Sequence, residues 1–297
     1  MKIYDCFMFF DEEMLLDLRL NILNEYVDKF VISEATYMHN GKSKKLLFDI
    51  NKFQKFKDKI IYVVADNRDE GLVKIGENDS DELKISKQIK NSYRREVNQE
   101  NKIQEGIVNS DPNDIIIMSD LDEIPNLEKE DLRTINKKLI FFKQKMFYYK
   151  FNLLYEGMPW YGSKACKKKN LITPHWLKWI KNKKYPFWRL DILFSKKKYN
   201  NIHYIEDGGW HFNNIRKPES VQKNLLSFAH HYEFEQSGIE LADIAKAIKE
   251  KTVMYNHNID KRKNKYGHGQ KLKTTTLNMM PRYIAENTQK YKSWLDI

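Results

Sequence analysis

Two cysteines, seven prolines and eleven glycines are spread over 297 residues, so the chain has little of what staples, breaks or punctuates a fold. Cys6 and Cys166 stand far apart with no partner spacing, which excludes a disulfide scaffold and a cysteine zinc site. No window approaches the roughly 18 apolar residues of a membrane span. The stretch from Lys2 to Phe10 reads as a strand and lacks the basic region, apolar region and small-residue cleavage site of a signal peptide, so a cytoplasmic protein is expected. There is no phosphate-binding Gly-rich loop of the P-loop type, which counts against an NTPase, and no internal repeat.

What is present is charge and aromatic mass. Charged residues make up 31%, hydrophobic residues 41% and aromatics 13%, the profile of a folded globular chain. Lys and Arg outnumber Asp and Glu by 52 to 41, a formal charge of +11. That excess suits a nucleic acid, an anionic surface or an anionic nucleotide, but much of it is Lys scattered among Asn, as in Lys42, Lys44, Lys45 and Lys181, Lys183, Lys184. Charge alone therefore selects no partner.

The order of elements says more. Ile3 to Phe10 is a continuous apolar run of the kind that a strand buried on both faces shows, and Met14, Leu15, Leu18, Ile22 and Tyr26 then recur at helical spacing behind the acidic Asp11-Glu12-Glu13. Phe30 to Ser33 and Ile60 to Val64 repeat the strand signal, ending at Glu34 and Asp66. Leu83, Ile85, Ile89, Tyr93, Val97, Ile103 and Ile107 suggest one or two helices, closed by a turn at Asp111 to Asp114. Ile115 to Met118 forms the next strand. This alternation predicts an α/β fold with a mostly parallel sheet flanked by helices.

Phe141 to Phe151 and Arg189 to Phe194 read as further strands, Pro218 to His231 as a helix, Tyr255 to Thr276 as a polar loop, and a last helical piece follows Pro281. The expected organisation is a catalytic domain over residues 1–235, nucleotide-binding in 1–125 and acceptor-binding in 126–235, with a helical and loop extension over 236–297.

In open α/β sheets ligands gather beyond the carboxyl ends of the strands, which puts Glu34, Asp66 and Asp120 to Glu123 on one edge. Asp120 and Asp122 are two apart, and an extended segment would aim both carboxylates to one side, where they suit one hard cation, Mn²⁺ or Mg²⁺. His211, beside Gly208 and Gly209, and the pair His230 and His231 are candidate further ligands. Glu34 and Asp66 offer acceptors to ribose and base, and Arg94 offers charge to phosphate. Trp160, Trp176, Trp179 and Trp188 suit a sugar-binding groove, with Trp160, next to Tyr161-Gly162, preferred. Asp-x-Asp is a short motif, and its place straight after four apolar β-formers is what gives it weight.

With these residues in place the chain resembles glycosyltransferase family 17. The resemblance runs through Leu15-Leu16-Asp17-Leu18-Arg19, Val27 to Glu34, Gly41, Lys44, Leu46, Phe48, Lys59 to Val63 with Asp66, and Gln99. It is most specific at Asp114-Ile-Ile-Ile-Met-Ser-Asp-Leu-Asp-Glu-Ile-Pro125, then continues at Gly209-Trp210-His211, Pro218-Glu219 and Ser227. It implies a GT-A fold (Rossmann-type), a UDP-sugar donor such as UDP-N-acetylglucosamine or a related hexose, Mn²⁺ dependence and inversion at the anomeric carbon.

On this reading Asp120, Asp122 and His211 hold the metal, and Glu34, Asp66, Arg94, Gln99 and Asp120 contact the donor. Trp160 and Trp210 contact the acceptor, a glycan or other hydroxyl compound. Glu219 or Glu233 is the general base, ahead of Asp207, because the base must lie across the sugar from the diphosphate. The competing readings are a metal-dependent nucleotidyl or phosphoryl transferase, a basic nucleic-acid-binding protein, and a lectin-like module without turnover.

Overall fold

The computed structural model describes residues 1–183, 185, 188, 191, 195, 199, 201–227, 231–255 and 269–297. Two sheets share one core. The first has seven strands: β1 (Ile3–Phe9), β2 (Lys29–Ala35), β3 (Ile60–Ala65), β4 (Ile115–Ser119), β6 (Leu139–Phe142), β9 (Lys164–Lys167) and β10 (Ile202–Ile205). Their spatial order is β10-β6-β9-β4-β1-β2-β3. β4, β1, β2 and β3 are mutually parallel, as are β10 and β6, and β9 enters antiparallel between the two groups. The second sheet joins β5 (Glu123–Pro125), β7 (Gln144–Tyr148), β8 (Leu153–Trp160), β11 (Gly209–Asn213) and β12 (Lys273–Thr274) in the order β12-β8-β7-β11-β5.

Alternation along β1 shows why the sheet is covered on both faces. Ile3, Phe7 and Phe9 pack with Leu15, Leu16, Leu18, Leu20 and Leu23 of α1 (Glu13–Leu23), while Tyr4 and Cys6 pack with Ile103 and Ile107 at the end of α2 (Asp81–Gly106). Cys6 and Cys166 are both free and buried in the second cluster. α2 is one continuous 26-residue helix, begun by the Ser80 side chain accepting the Leu83 N–H. Ahead of α1, Glu12 makes no side-chain cap bond; its carboxylate accepts the N–H groups of Phe10 and Asp11 and pairs with Arg216.

The second half differs from the sequence reading in detail. The run Phe141 to Phe151 is split between β6 and β7, which lie in different sheets on either side of Lys143, and Tyr149, with φ of 63°, turns the chain after β7. The strand expected at Arg189 to Phe194 falls, apart from Asp191, outside the described residues, as do His230 and most of the loop from Tyr255 to Thr276. The helix expected from Pro218 to His231 is seen as α4 (Pro218–Leu225) and α5 (His231–Gln236), and α6 (Leu241–Glu250) packs on α4. α3 (Pro174–Trp179) lies against α2, β4 and β9. The chain after Pro281 does form a helix, α7 (Arg282–Glu286), and Met280, Ile284, Tyr291 and Leu295 enter the main core.

Among the described residues no helix is long and apolar enough to cross a membrane.

Candidate active site

Asp120, Leu121 and Asp122 form the turn between β4 and β5, so the two carboxylates are not on an extended segment as the spacing suggested. The Glu123 N–H closes the turn on the Asp120 carbonyl at 3.0 Å. Beneath it sits Arg19, fully buried on α1, donating to the carbonyls of Asp120 (3.0 Å), Leu121 (3.2 Å) and Glu123 (2.7 Å). Its other edge makes a two-bond fork to the equally buried Asp5 of β1, at 2.8 and 2.6 Å. One guanidinium thus ties together three carbonyls of the turn, of which Asp120 also accepts the Glu123 N–H and Glu123 also accepts the Ser163 hydroxyl.

Glu123 braces the turn from the other side. Its carboxylate accepts the Asp120 N–H at 2.8 Å and the Trp160 indole N–H at 2.5 Å. Gly162 makes room for it, since a Cβ there would come within 2.0 Å of a Glu123 oxygen. Trp160 is therefore held inward, its ring 5.0 Å from that of His211.

The two aspartates face different neighbours. Asp122 approaches Nε2 of His211 at 3.4 Å. Burial alone would raise the Asp122 carboxyl and lower His211, but their mutual attraction, with Arg216 close by, outweighs it: Asp122 is lowered and His211 raised. Arg216 itself pairs with Asp11 at 2.5 Å and with Glu12. The glycines beside His211 serve the protein backbone rather than a ligand, because a Cβ on Gly209, at φ of 129°, would strike the Ile124 carbonyl at 2.1 Å.

Asp120 turns toward α2 and α3. Lys178 Nζ lies 2.6 Å from it and 2.7 Å from Glu100, whose carboxylate also meets His175 Nδ1 and accepts the Trp179 indole N–H at 3.2 Å. Burial, with Glu123 and Asp122 adding to it, pushes Asp120 up to about 7 despite Lys178, and burial with Glu100 and Asp120 pushes Glu96 to about 8. Asp120 still exposes 41% of its side chain, so the ring of protein around it stays open to solvent on one side.

The remaining expected site residues are placed differently. Glu34 is fully buried and its acceptor capacity goes to the protein: Lys44, the N–H groups of Leu47 (2.7 Å) and Phe48 (3.0 Å), and the Tyr62 hydroxyl (2.8 Å). Gln99 is buried between His39 and the Ser33 carbonyl. Asp66 is exposed and 3.5 Å from Lys102, and Arg94 is exposed over Gly71. Trp210 donates to the Met279 carbonyl at 2.7 Å, away from the aspartates. Glu219 and Glu233 are exposed on α4 and α5. An open depression of about 500 Å³ lies near Met1, Tyr4 and Asp114, at the opposite ends of β1 and β4 from Asp120.

Against this geometry, the sequence profile of glycosyltransferase family 17 matches residues 1–176. The chain belongs to glycosyltransferase family 17. No curated protein sequence matches it. The family match spans six of the seven strands of the first sheet, all but β10, together with the aspartate turn and the Arg19–Asp5 pair, so this glycosyltransferase carries both aspartates of its candidate site inside the matched region. Lys178, Trp179, His211 and Arg216 lie beyond it.

Hard carboxylate oxygens and an imidazole are a donor set that fits Mn²⁺ or Mg²⁺. The buried Nδ1 of His211 has no hydrogen-bond partner, and Nε2 is the ring atom that faces Asp122. As the side chains stand, no three His, Cys, Asp or Glu groups converge among the described residues, and Lys178 engages Asp120.

Sequence reasoning missed Arg19 as a turn clamp, Glu100 as the anchor of Lys178, and Lys178, His175 and Arg216 altogether. Asp5 did leave a trace as a lone charge inside an apolar run, and Arg19 stands among the leucines of α1 with Asp17 two positions before it. Lys178 left none, since Asp120 is 58 residues away and Glu100 is 78.

Proposed function

We propose that this family 17 glycosyltransferase is a metal-dependent, inverting enzyme of the GT-A type that moves a hexosyl group, N-acetylglucosamine or a relative, from a UDP-sugar to a hydroxyl of a glycan or other acceptor. The observation that carries the reading is the Asp120-Leu121-Asp122 turn at the carboxyl end of β4, held rigid by Arg19 below and Glu123 beside it. A loop whose carbonyls are fixed by a buried guanidinium is a preorganised site rather than an ordinary surface turn.

Asp122, His211 and Asp120 would hold Mn²⁺ or Mg²⁺, which when bound supplies positive charge to a departing diphosphate. For Asp120 to take part, it must exchange Lys178 for that ion. Lys178 is then the chain's own cation next to the diphosphate position, kept in place by Glu100 at 2.7 Å. Arg94 and Asp66, both exposed near the carboxyl ends of β2 and β3, are the groups available to the donor's phosphate and ribose. Glu34 and Gln99 act at one remove, by fixing residues 44–48 and His39. Glu219 in the first turn of α4, or Glu233 on α5, takes the proton from the acceptor hydroxyl as it attacks the anomeric carbon.

The test is a panel of UDP-sugars with Mn²⁺, read by UDP release and by thermal stabilisation. At least one donor should stabilise the protein and be turned over, and Asp122→Ala should abolish both responses. If every uridine-linked sugar leaves the melting curve unchanged in the presence of Mn²⁺, the proposal fails.

A further inference from the structure

Of the aromatic side chains named for sugar contact from sequence, Trp160 and Trp210 spend their indole N–H groups on Glu123 and the Met279 carbonyl. Trp179, also named there, is arranged for a ligand together with Tyr93. Trp179 ends α3 and Tyr93 stands on α2, with 46% and 44% of their surfaces exposed. Their rings meet edge to face at 6.3 Å, and Tyr93 meets the His175 ring in the same manner at 5.6 Å.

Exposed aromatics are ordinary when they stand alone and loose. These are neither. The Trp179 N–H is shared between both oxygens of Glu100 at 3.2 Å, and the Tyr93 hydroxyl is bonded to Nε2 of His175 at 2.9 Å, whose Nδ1 in turn meets Glu100. A buried carboxylate therefore fixes the orientation of an exposed indole, the kind of support that leaves a flat apolar surface ready to bind without further ordering. The same carboxylate is bridged by Lys178 to Asp120.

We propose that Trp179 and Tyr93 form the platform on which a pyranose ring of the acceptor stacks; this rests on the transferase reading above. The rim suits a neutral sugar. Glu100 is spent on Lys178, His175 and Trp179, so the acid left for a ligand is Glu96, half-buried one helical turn before it on α2, whose carboxyl group can exchange hydrogen bonds with a hydroxyl. A pyranose offers an apolar face to the rings and hydroxyls to Glu96. The corner lies where α3 packs on α2, joined to Asp120 through Lys178.

Binding of the methyl glycosides of glucose, galactose and N-acetylglucosamine, followed by saturation-transfer NMR on the whole chain, tests this. At least one should bind the wild-type protein. Trp179→Ala should weaken it about tenfold, a loss in line with a stacked ring contact. Trp179→Phe, which keeps a ring but loses the bond to Glu100, should weaken it less. Val108→Ala, an exposed change beyond the end of α2, should bind as the wild type does. Thermal stabilisation of the wild type by UDP with Mn²⁺ is measured in parallel. If UDP and Mn²⁺ stabilise the protein but no glycoside binds, or Trp179→Ala binds equally well, the platform is wrong and the transferase reading stands. If glycosides bind at Trp179 while no uridine nucleotide does, the surface is a lectin site and the acceptor assignment is overturned with the transferase reading.

Discussion

Replacing Arg19 separates two roles that the structure gives to one side chain. Arg19→Met leaves Asp5 fully buried with no counter-charge, and breaking such a pair costs about 3–5 kcal/mol. For a domain held by roughly 5–15 kcal/mol, that is about a fifth or more of the total. The same change strips a charged donor from the carbonyls of Asp120, Leu121 and Glu123. Adding Asp5→Leu restores most of the stability, because a buried ion pair exchanged whole for apolar groups is often neutral, but it returns nothing to the turn. The single variant should therefore unfold at markedly lower urea, while the double variant should recover in urea and still fail to be stabilised by UDP with Mn²⁺. Urea unfolding measures the first quantity and a melting curve with ligand the second. A single variant within about 1 kcal/mol of wild type would refute the stability reasoning. A double variant with wild-type ligand response would refute the claim that Arg19 shapes the site.

Two further changes probe neighbouring supports. Gly162→Ala puts a methyl group 2.0 Å from the Glu123 carboxylate, and since that carboxylate is locked by Asp120 and Trp160 it must be displaced, at a cost of about 1–3 kcal/mol and a weaker nucleotide response; unchanged urea and ligand curves would show that Glu123 yields freely. At the chain end, Asp296 is 26% exposed and joins Lys251 and Thr274, whose hydrogen bonds outweigh burial and hold its carboxyl below the ordinary range. A lowered folded-state value means stability present above the unfolded value of roughly 3.9 and lost as pH falls through the lower folded one. Asp296→Asn should thus cost about 1 kcal/mol at pH 7, and the gap from wild type should close in acid unfolding below about pH 3; a gap independent of pH would rule out the ion pair as its source.

The parallel core was legible because buried strands announce themselves: Ile3 to Phe10, Phe30 to Ser33, Ile60 to Val64 and Ile115 to Met118 all appear as β1 to β4, within a residue or two. Helix α2 was legible from its period. The aspartate turn was found by position, but its shape was not, since a two-residue spacing reads as extended until the Glu123 N–H closes it. The second half was hardest. β6 and β7 are continuous in sequence and part company in space, and nothing in the residues around Lys143 announces that change of sheet. Site residues divide in the same way. Asp122 and His211 do meet, across a gap of 89 positions, because β5 and β11 pair. Glu34 sits at a strand end, as expected, yet its oxygens go to Lys44, Tyr62 and the backbone of residues 47 and 48. Position along a sheet edge is visible in sequence; which way a carboxylate turns is decided by long-range donors.

Lys178 has a consequence for how a cation and a nucleotide would load. Its ammonium is 9% exposed and lies between Glu100 and Asp120, so Asp120 is already neutralised before any metal arrives. A divalent ion binding at Asp120 would meet this fixed positive charge at close range, where little solvent intervenes to screen it. A diphosphate removes the conflict, since its negative charge answers both cations at once. Mn²⁺ and UDP should then bind cooperatively, each strengthening the other by about 5- to 150-fold, and by linkage the factor is the same in either order. Calorimetric titration of Mn²⁺ with and without UDP measures it. Lys178→Met with Glu100→Gln, which removes the charge without stranding its partner, should tighten Mn²⁺ binding in the absence of nucleotide and shrink the coupling. Equal Mn²⁺ affinity with and without UDP in the wild-type protein would mean that Lys178 does not oppose the ion.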